Sequence, residues 1–565
     1  MNRAQRRQQE QHQRSQKDTG NALNLRVVLN ESVAHLQGGR FAQAESGFLH
    51  ILEEMPRHAD SLHFLGIIAY RRGALPKARD FIEQAIQVDG TKPHYYFNQG
   101  LVLHANGQLA AAVEAYKQAA SLKTDYYEAY ANLGNVYRDA VNLPKAVEAY
   151  QQSIASKPGY ADGYNNLGVA YKEQKNLDQA VEAFQQALAI NPNHAEAHYN
   201  IGTVLHEQEK QDGAIRAFEQ ALRLKPHYAN AHHHLGLSYL WKGHIEAAVS
   251  ALRHSADCSQ NHGKSFSLQS VYKSRVKHDA EQVQYLMAHG LLGKEHAGYC
   301  EALQLLQTRA LETDSDSVRM VISREECEAI APSFNRILHY ANCPLLSQEA
   351  VNPTLDVVEI QKRYNQQQPE IMFVDDLLTE EALASLRRFC LESTIWKKDY
   401  ENGYIGALLG EGFSSPLLLQ ISEELRVRFP KIFRRHRLVQ SWAFKQDSQR
   451  RGLNIHADAA AVNVNFWVTP DEANQDPTSG GLVVWDKEAP HDWDFNEYNN
   501  TQYKPKIFEF LEAHGAQTVR VPYRQNRAVI FNSDLFHETD YCVFHDNYES
   551  RRINITMLYG HRLKA

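Results

Sequence analysis

Residues 161–194 read ADGYNNLGVAYKEQKNLDQAVEAFQQALAINPNH, and this stretch contains the pattern that decides the fold of the N-terminal part of the chain. Its spacing predicts two helices joined by a turn. The small residues Gly168 and Ala180 allow the two helices to approach closely, and Phe184 fills the gap to the next unit. Pro192 marks the turn between units because proline cannot continue a helix.

The same residue types recur every 34 residues, which predicts a helical repeat array. The glycines of the pattern are Gly66, Gly100, Gly134, Gly168, Gly202 and Gly236. The alanines are Ala78, Ala112, Ala146, Ala180, Ala214 and Ala248. Period and motif positions resemble the tetratricopeptide repeat, which implies an all-α superhelix. Seven units fit without insertion: 25–58, 59–92, 93–126, 127–160, 161–194, 195–228 and 229–262.

Asparagine recurs at the sixth position of four units. The residues are Asn98, Asn132, Asn166 and Asn200. If this position lines the concave groove, an amide ladder there offers donors and acceptors to an extended peptide. A similar ladder is found in the repeat domain of the O-linked N-acetylglucosamine transferase family. The alternative is that asparagine is simply a solvated choice of the repeat consensus, and the sequence leaves both open.

Composition excludes several classes of protein. The 565 residues correspond to about four domains at ~150 residues each. The formal net charge of −7 argues against a general nucleic-acid binder, so no nucleic-acid partner is expected. No apolar run is long enough for a membrane span. The six cysteines form no CxxC pair, which fits a reducing, cytoplasmic setting.

The chain divides into four regions on these criteria. Residues 1–24 are a basic, glutamine-rich tail that we expect to be disordered, and residues 25–262 are the repeats. Residues 263–368 read as a helical cap, with apolar helical spacing at 281–292 and 298–311, followed by a partly extended connector. Residues 369–565 contain short strand-like segments between turns, which predict a β-sandwich or barrel with flanking helices.

Residues 452–468, GLNIHADAAAVNVNFWV, contain the residues with the clearest chemical role. His456 and Asp458 are two apart on a predicted strand, so both side chains face the same way. An HxD tripeptide alone is weak evidence, because a second one at 58–60 is explained by capping of a helix start. Asn463 and Asn465 share a strand face beside it and either contact a co-substrate or hydrogen-bond within the domain.

Two downstream segments supply further polar residues. Residues 527–537, RAVIFNSDLFH, run from an apolar strand into a turn that is followed by His537. Residues 551–559, RRINITMLY, alternate in a way that places Arg552, Asn554 and Thr556 on one face. Arg552 offers a two-pronged donor for a carboxylate.

This set of residues resembles the iron(II)- and 2-oxoglutarate-dependent dioxygenases, over roughly residues 369–565. The resemblance implies a double-stranded β-helix of the jelly-roll or cupin type. It also implies that iron(II) is held by His456, Asp458 and His537 and that Arg552 and Asn554 bind the co-substrate 2-oxoglutarate, with O2 as oxidant. The RxNxT strand is similar to the dealkylating branch, but Leu558 replaces the second arginine of that branch, so its nucleic-acid substrate is not carried over.

Three functions remain open from the sequence. The first is hydroxylation of a protein or peptide recruited by the repeat groove, with Pro, Asp and Asn not distinguished as targets. The second is a small-molecule oxygenase whose repeats are a scaffold. The third is a non-catalytic interaction protein whose histidines and acids are unrelated.

Overall fold

The computed structural model describes residues 24–260, 268–312, 317–401, 403–433, 435–447, 449–450 and 454–562. The predicted tail therefore lies outside the described residues except for residue 24. The chain forms two compact units, one ending at Gln208 and the other beginning at Glu209. Among the described residues, no helix combines the length and the apolar character that crossing a membrane requires.

The first unit consists of helical hairpins, as the 34-residue period predicts. Its helices are α1 (24–37), α2 (Phe41–Glu54), α3 (Ala59–Arg71), α4 (Leu75–Val88), α5 (Pro93–Ala105), α6 (Leu109–Leu122), α7 (Tyr127–Asp139), α8 (Leu143–Ser156), α9 (Ala161–Glu173), α10 (Leu177–Ile190) and α11 (Ala195–Glu207). Several helices begin with proline in the first turn, where its missing N–H costs nothing.

The glycine and the aromatic residue of one repeat contact each other directly. A Cβ placed on Gly134 would lie 2.5 Å from the ring of Tyr150, and one on Gly168 would lie 2.6 Å from the ring of Phe184. Tyr150 and Phe184 are fully buried. The aromatic side chain therefore packs between the two helices of its own hairpin, in addition to the predicted packing toward the next unit.

The second unit begins with three helices and continues into the helical region before the sheets. Its helices are α12 (Gln211–Leu224), α13 (Ala229–Trp241), α14 (Ile245–Cys258), α15 (Lys273–Ala288), α16 (Ala297–Glu312), α17 (Arg324–Ile330), α18 (Val357–Gln366), α19 (Glu380–Glu392), α20 (Pro416–Arg428), α21 (Pro430–Phe433), α22 (Phe495–Asn499) and α23 (Lys504–Ala513). The connector predicted at 351–368 as partly extended contains α18.

The strands of the second unit pair antiparallel. They are β1 (Ser270–Tyr272), β2 (Arg319–Val321), β3 (Ile371–Val374), β4 (Lys398–Asp399), β5 (Tyr404–Leu408), β6 (Leu438–Gln446), β7 (Gln449–Arg450), β8 (Val462–Trp467), β9 (Leu482–Glu488), β10 (Thr518–Val521), β11 (Ala528–Asn532), β12 (Leu535–Thr539), β13 (Cys542–Val543) and β14 (Ile553–Tyr559). The main sheet has the order β3-β11-β8-β14-β6-β5-β4, and a three-stranded sheet has the order β10-β9-β12. The short pairs β1-β2 and β13-β7 are separate.

The two faces of the main sheet have different neighbours. One face carries Ile553, Ile555 and Met557, which pack into a core with α19 and α20. The other face carries Trp467 and Phe531, which pack against the three-stranded sheet. An antiparallel sheet region with flanking helices is thus observed, whereas closure of the sheets into a double-stranded β-helix stays a prediction.

The last predicted repeat belongs to the core of the second unit. Leu237, Leu240 and Leu252 of α13 and α14 lie in the same hydrophobic cluster as the main sheet and its helices. The Trp241 Nε1–H also donates to the carbonyl of Leu438 at the start of β6, at 2.9 Å. The sheet region is therefore not packed independently of the helices that precede it.

A substitution at the glycine–aromatic contact tests the packing of the repeats. We expect Gly134→Ala to lower the free energy of unfolding by about 1–3 kcal/mol, because the new Cβ collides with the Tyr150 ring. Gly159→Ala is the control, since no atom lies within 4 Å of a Cβ there. Urea denaturation of the full chain followed by circular dichroism measures both. Equal unfolding midpoints for the two variants would contradict the packing account.

Candidate metal centre

His456, Asp458 and His537 come together in the second unit. One ligand atom from each lies within 4.8 Å of the other two. The Nε2 atom of His456 is 3.8 Å from Oδ1 of Asp458, and Nε2 of His537 is 3.4 Å from Oδ2. The two imidazole rings lie 4.4 Å apart, centroid to centroid. The three residues that the sequence singled out thus form one cluster.

Backbone pairing brings the two histidines together. The His456 N–H donates to the carbonyl of His537 at 3.0 Å, and the His537 N–H donates back to the carbonyl of His456 at 2.8 Å. His537 lies on β12, but His456 makes only this isolated bridge. The predicted strand over 452–458 is therefore wrong for 454–458, and residues 452–453 lie outside the described residues.

Both imidazoles direct Nε2 toward the carboxylate. The Nδ1 of His456 lies 2.7 Å from the carbonyl of Asn454, and the Nδ1 of His537 lies 3.0 Å from the carbonyl of Leu535. A carbonyl only accepts, so each Nδ1 carries a proton, and Nε2 is the ring nitrogen that faces Asp458. Orientation by such an outer hydrogen bond is typical of metal-binding histidines.

The protonation states also suit a cation. Burial and the neighbouring His537 lower the pKa of His456 to about 4, so its imidazole is neutral at pH 7. Burial on its own would raise the pKa of Asp458, but the hydrogen bond with His537 and the adjacent imidazoles outweigh burial and lower it. Two imidazole nitrogens and one carboxylate form the donor set of a 2-His-1-carboxylate metal site.

A chain of hydrogen-bonded amides leads away from the carboxylate across the inner face of the main sheet, which is the face that carries Trp467 and Phe531. The Asn463 Nδ2–H donates to Oδ2 of Asp458 at 2.6 Å, and the Asn465 Nδ2–H donates to Oδ1 of Asn463 at 2.6 Å. Asn554 and Thr556 in turn donate to Oδ1 of Asn465, at 2.9 and 2.7 Å. Asn463 thus holds the carboxylate, and Asn554 is anchored within this network.

Arg552 lies next along this face and is 2% exposed. Its guanidinium donates to the carbonyls of Gly480 and Gly481, at 2.6 and 3.3 Å, and to Oε1 of Gln446 at 3.0 Å. Among the described residues, no carboxylate forms an ion pair with Arg552. Burial lowers the pKa of this guanidinium, so the fold keeps a cation here at an electrostatic cost.

The neighbouring Arg551 has a different environment. Its guanidinium donates to Oε2 of Glu281 at 2.8 and 2.6 Å, and it also lies 3.5 Å from Asp447. These two carboxylates satisfy the charge of Arg551. Arg552 thus lies on the face of Asn554 and Thr556, as the alternation predicts, whereas Arg551 points to Glu281.

A cavity of about 570 Å³ opens beside the cluster and is lined by His456 and Asp458. Aromatic side chains of β5 and β6 form one side of it, and Asn499 and the exposed His561 lie at its edge. Strand β5 was not predicted from the sequence. No motif marks the aromatic residues, because only the pairing of β5 with β6 brings them together beside the cluster.

A second group of potential ligands is less suited to a metal. Glu488, His491 and Asp534 have ligand atoms within 4.8 Å of one another, but Glu488 and His491 are exposed. Oδ1 of Asp534 already lies 2.7 Å from Nε of Arg562.

The amide ladder of the first unit is partly used for contacts between repeats. Nδ2 of Asn98 lies 2.8 Å from Nε2 of His63, and the Asn200 Nδ2–H donates to Oδ1 of Asn165 at 2.9 Å. The Asn132 Nδ2–H donates to the carbonyl of Glu128 in its own helix. The peptide-binding role of Asn98, Asn132, Asn166 and Asn200 stays a prediction.

Comparison with family models identifies the repeats. Tetratricopeptide repeat models match residues 29–95, 161–194 and 183–216, and a TPR repeat model matches 100–140 and 202–243. The chain is therefore a tetratricopeptide repeat protein in its N-terminal part, followed by an antiparallel sheet region with a His-Asp-His cluster. The repeats imply binding of a protein or peptide.

Comparison with solved structures gives matches to parts of this chain. A crystal structure of MamA protein is 27% identical, with a TM-score of 0.28, and the match covers 30% of this chain and 92% of that one. YrrB, described as a TPR protein with an unusual peptide-binding site, is 24% identical, with coverage of 32% and 92% and a TM-score of 0.27. PilF of Pseudomonas aeruginosa is 18% identical, with coverage of 38% and 96% and a TM-score of 0.34. None of the curated proteins compared matches the chain.

The hydrogen bond from Asn463 to Asp458 makes a testable contribution to metal binding. We expect Asn463→Ala to weaken the affinity for a divalent cation by about 10- to 100-fold, because the carboxylate loses the donor that orients it. Cobalt(II) titration followed by absorption spectroscopy measures the affinity. Asn193→Ala, an exposed asparagine of the first unit, is the control. An unchanged affinity in Asn463→Ala would remove Asn463 from the site.

Proposed function

We propose that the second unit is an iron(II)- and 2-oxoglutarate-dependent oxygenase that hydroxylates a protein or peptide bound by the repeats. The observation that supports this most strongly is the cluster of His456, Asp458 and His537, with both Nε2 atoms directed at one carboxylate. Iron(II) oxygenases with two histidines and one carboxylate keep the remaining coordination positions for substrate and oxygen. The face-to-face packing of the two antiparallel sheets is compatible with the double-stranded β-helix that the sequence predicts.

The residues fit a divalent metal. Both imidazoles are oriented by carbonyls, the imidazole of His456 is neutral at pH 7 because burial lowers its pKa, and the carboxylate is ionised and held by Asn463. His456 and Asp458 also border the large cavity, so a metal held there is reachable by a substrate. His456, Asp458 and His537 are the ligands in this proposal.

The residues along the inner face fit a dicarboxylate co-substrate. Arg552 is a buried cation whose hydrogen bonds all go to neutral acceptors, and a bidentate carboxylate is the natural counter-ion of such a group. The buried Nε1 atoms of Trp442 and Trp467 have no hydrogen-bond partner, although both residues lie on this face. In the proposal Arg552 holds the far carboxylate, and Asn554 keeps the adjoining amides in place.

When bound, iron(II) and 2-oxoglutarate supply an oxidation in which O2 inserts one oxygen atom into a substrate C–H bond and the other into succinate, with loss of CO2. The chain contributes positioning and exclusion of water. Asp458 supplies the negative charge of the ligand set, and the aromatic side of the cavity keeps solvent from the reacting group. In the proposal the repeats supply further affinity for the target.

The first test is formation of succinate by the full-length protein. We expect iron(II)-dependent conversion of 2-oxoglutarate to succinate, and we expect His456→Ala to lower the rate at least about 100-fold because one of three ligands is lost. The exposed His514 provides the control His514→Ala, which we expect to keep the rate. Equal rates in the wild type and His456→Ala would refute the site. No iron-dependent succinate at all would favour the non-catalytic alternative.

A pair of conservative arginine substitutions tests the co-substrate site. We expect Arg552→Lys to raise the KM for 2-oxoglutarate by about tenfold or more, because lysine lacks the two-pronged donor. Arg551→Lys alters an equally buried guanidinium that is paired with Glu281, so we expect no change in KM. Steady-state succinate assays at varied 2-oxoglutarate measure both variants. The same KM in Arg552→Lys as in the wild type would place the co-substrate elsewhere.

A further inference from the structure

The cavity beside the metal centre has one continuous aromatic side, formed by Tyr400, Tyr404, Trp442 and Phe444. We call these four residues the aromatic wall. Tyr404 is on β5, Trp442 and Phe444 are on β6, and the register of the two strands brings them together. Gly406 of β5 makes this possible, since a Cβ there would lie 3.0 Å from Phe444 and 3.2 Å from Tyr400.

The rings of the aromatic wall touch each other and leave no gap between them. Tyr400 and Tyr404 are stacked at 4.4 Å, and Phe444 meets them edge-on at 5.6 and 5.1 Å. Trp442 lies 6.1 Å from Phe444. These centroid distances are those of direct aromatic contacts. The wall offers a continuous, largely apolar surface.

The rest of the cavity has little charge to pair with a charged side chain. Among the described residues that line it there is no lysine, arginine or glutamate, and the one carboxylate is Asp458 of the metal centre. A buried aspartate, lysine or arginine of a substrate would therefore lose its hydration without gaining an opposite charge. An uncharged group is favoured.

Neutral amides at the edge of the cavity suit the backbone of a peptide. Asn499 uses Nδ2 to donate to the carbonyl of Ala457, which leaves its Oδ1 as an acceptor. Gln440 uses Oε1 to accept from the Ser441 N–H, which leaves its Nε2 as a donor. One donor and one acceptor match the C=O and N–H groups of an extended chain.

We propose that the cavity binds a proline residue of an extended peptide, with the pyrrolidine ring on the aromatic wall and the flanking backbone on Gln440 and Asn499. This inference rests on the proposed function. It selects proline among the three target residues, Pro, Asp and Asn, that the sequence leaves open. Proline brings an apolar ring with no polar side-chain atom, and its fixed φ reduces the entropy lost on binding. Asparagine would place a polar amide, and aspartate a charge, against the apolar ring faces.

Binding of matched peptides tests the inference without requiring turnover. Three acetylated, amidated pentapeptides with identical glycine and alanine flanks carry Pro, Asn or Asp at the centre. The full-length protein is supplied with 2-oxoglutarate and redox-inactive zinc(II), and saturation-transfer NMR reports which peptide contacts it. We expect the largest transfer to the proline ring. Transfer to the Asn or Asp peptide equal to or above that of the Pro peptide would overturn the inference, as would no transfer to any of them.

Variants locate the contact. We expect Trp442→Ala and Tyr400→Ala each to reduce transfer to the proline ring by about fivefold, the loss of one ring contact. Tyr541→Ala, at a half-exposed tyrosine away from the wall, is the matched control and should keep the signal. Tyr400 is only partly buried, so Tyr400→Ala remains informative if Trp442→Ala does not fold. Undiminished transfer in a folded wall variant would contradict the proposed location.

Turnover separates this inference from the function on which it rests. With iron(II) in place of zinc(II), an oxygen atom added to the Pro peptide alone supports both. Proline binding that depends on the wall, in a protein that forms no iron-dependent succinate, supports the pocket and contradicts the oxygenase. Oxygen added to the Asn or Asp peptide but not to the Pro peptide overturns the inference and supports the oxygenase.

Discussion

The two reciprocal backbone hydrogen bonds between His456 and His537 are the constraint on which the candidate site depends. They fix two residues that are far apart in the sequence at a ring separation of 4.4 Å. The Nδ1 atom of each imidazole then hydrogen-bonds to a nearby carbonyl, and Nε2 points toward Asp458. Asp458 follows two residues after His456 and completes the cluster. The main chain thus fixes the positions from which the two imidazoles extend.

Strand β14 supplies alternating side chains to both faces of the main sheet near this cluster. Ile553, Ile555 and Met557 of β14 anchor the sheet on the helices behind it. Asn554 and Thr556, on the opposite face, continue the amide chain that starts at Asp458. Stability and site are therefore coupled, since a shift of one residue in the β14 register would exchange the apolar and polar faces. The buried cation of Arg552 lies at the end of the same polar face.

The sequence predicts the repeats well because each repeat is a local unit whose contacts recur every 34 residues. Gly168 and Phe184, for example, lie in one hairpin and are 16 positions apart. The site residues were predictable from HxD spacing and strand alternation, yet the segment around His456 is not a strand. The aromatic wall was not predictable, because its residues reach the cavity through the long-range pairing of β5 with β6. Nor does the repeat period reveal that α13 and α14 share a core with the sheet.

The central claim is that His456, Asp458 and His537 bind one iron(II) ion. Anomalous diffraction at the iron absorption edge, from crystals grown anaerobically with iron(II), tests it most directly. The account predicts one strong peak about 2.0–2.3 Å from Nε2 of both histidines and from a carboxylate oxygen of Asp458. A peak at Glu488, His491 and Asp534 instead, or no peak at the predicted position, would contradict it.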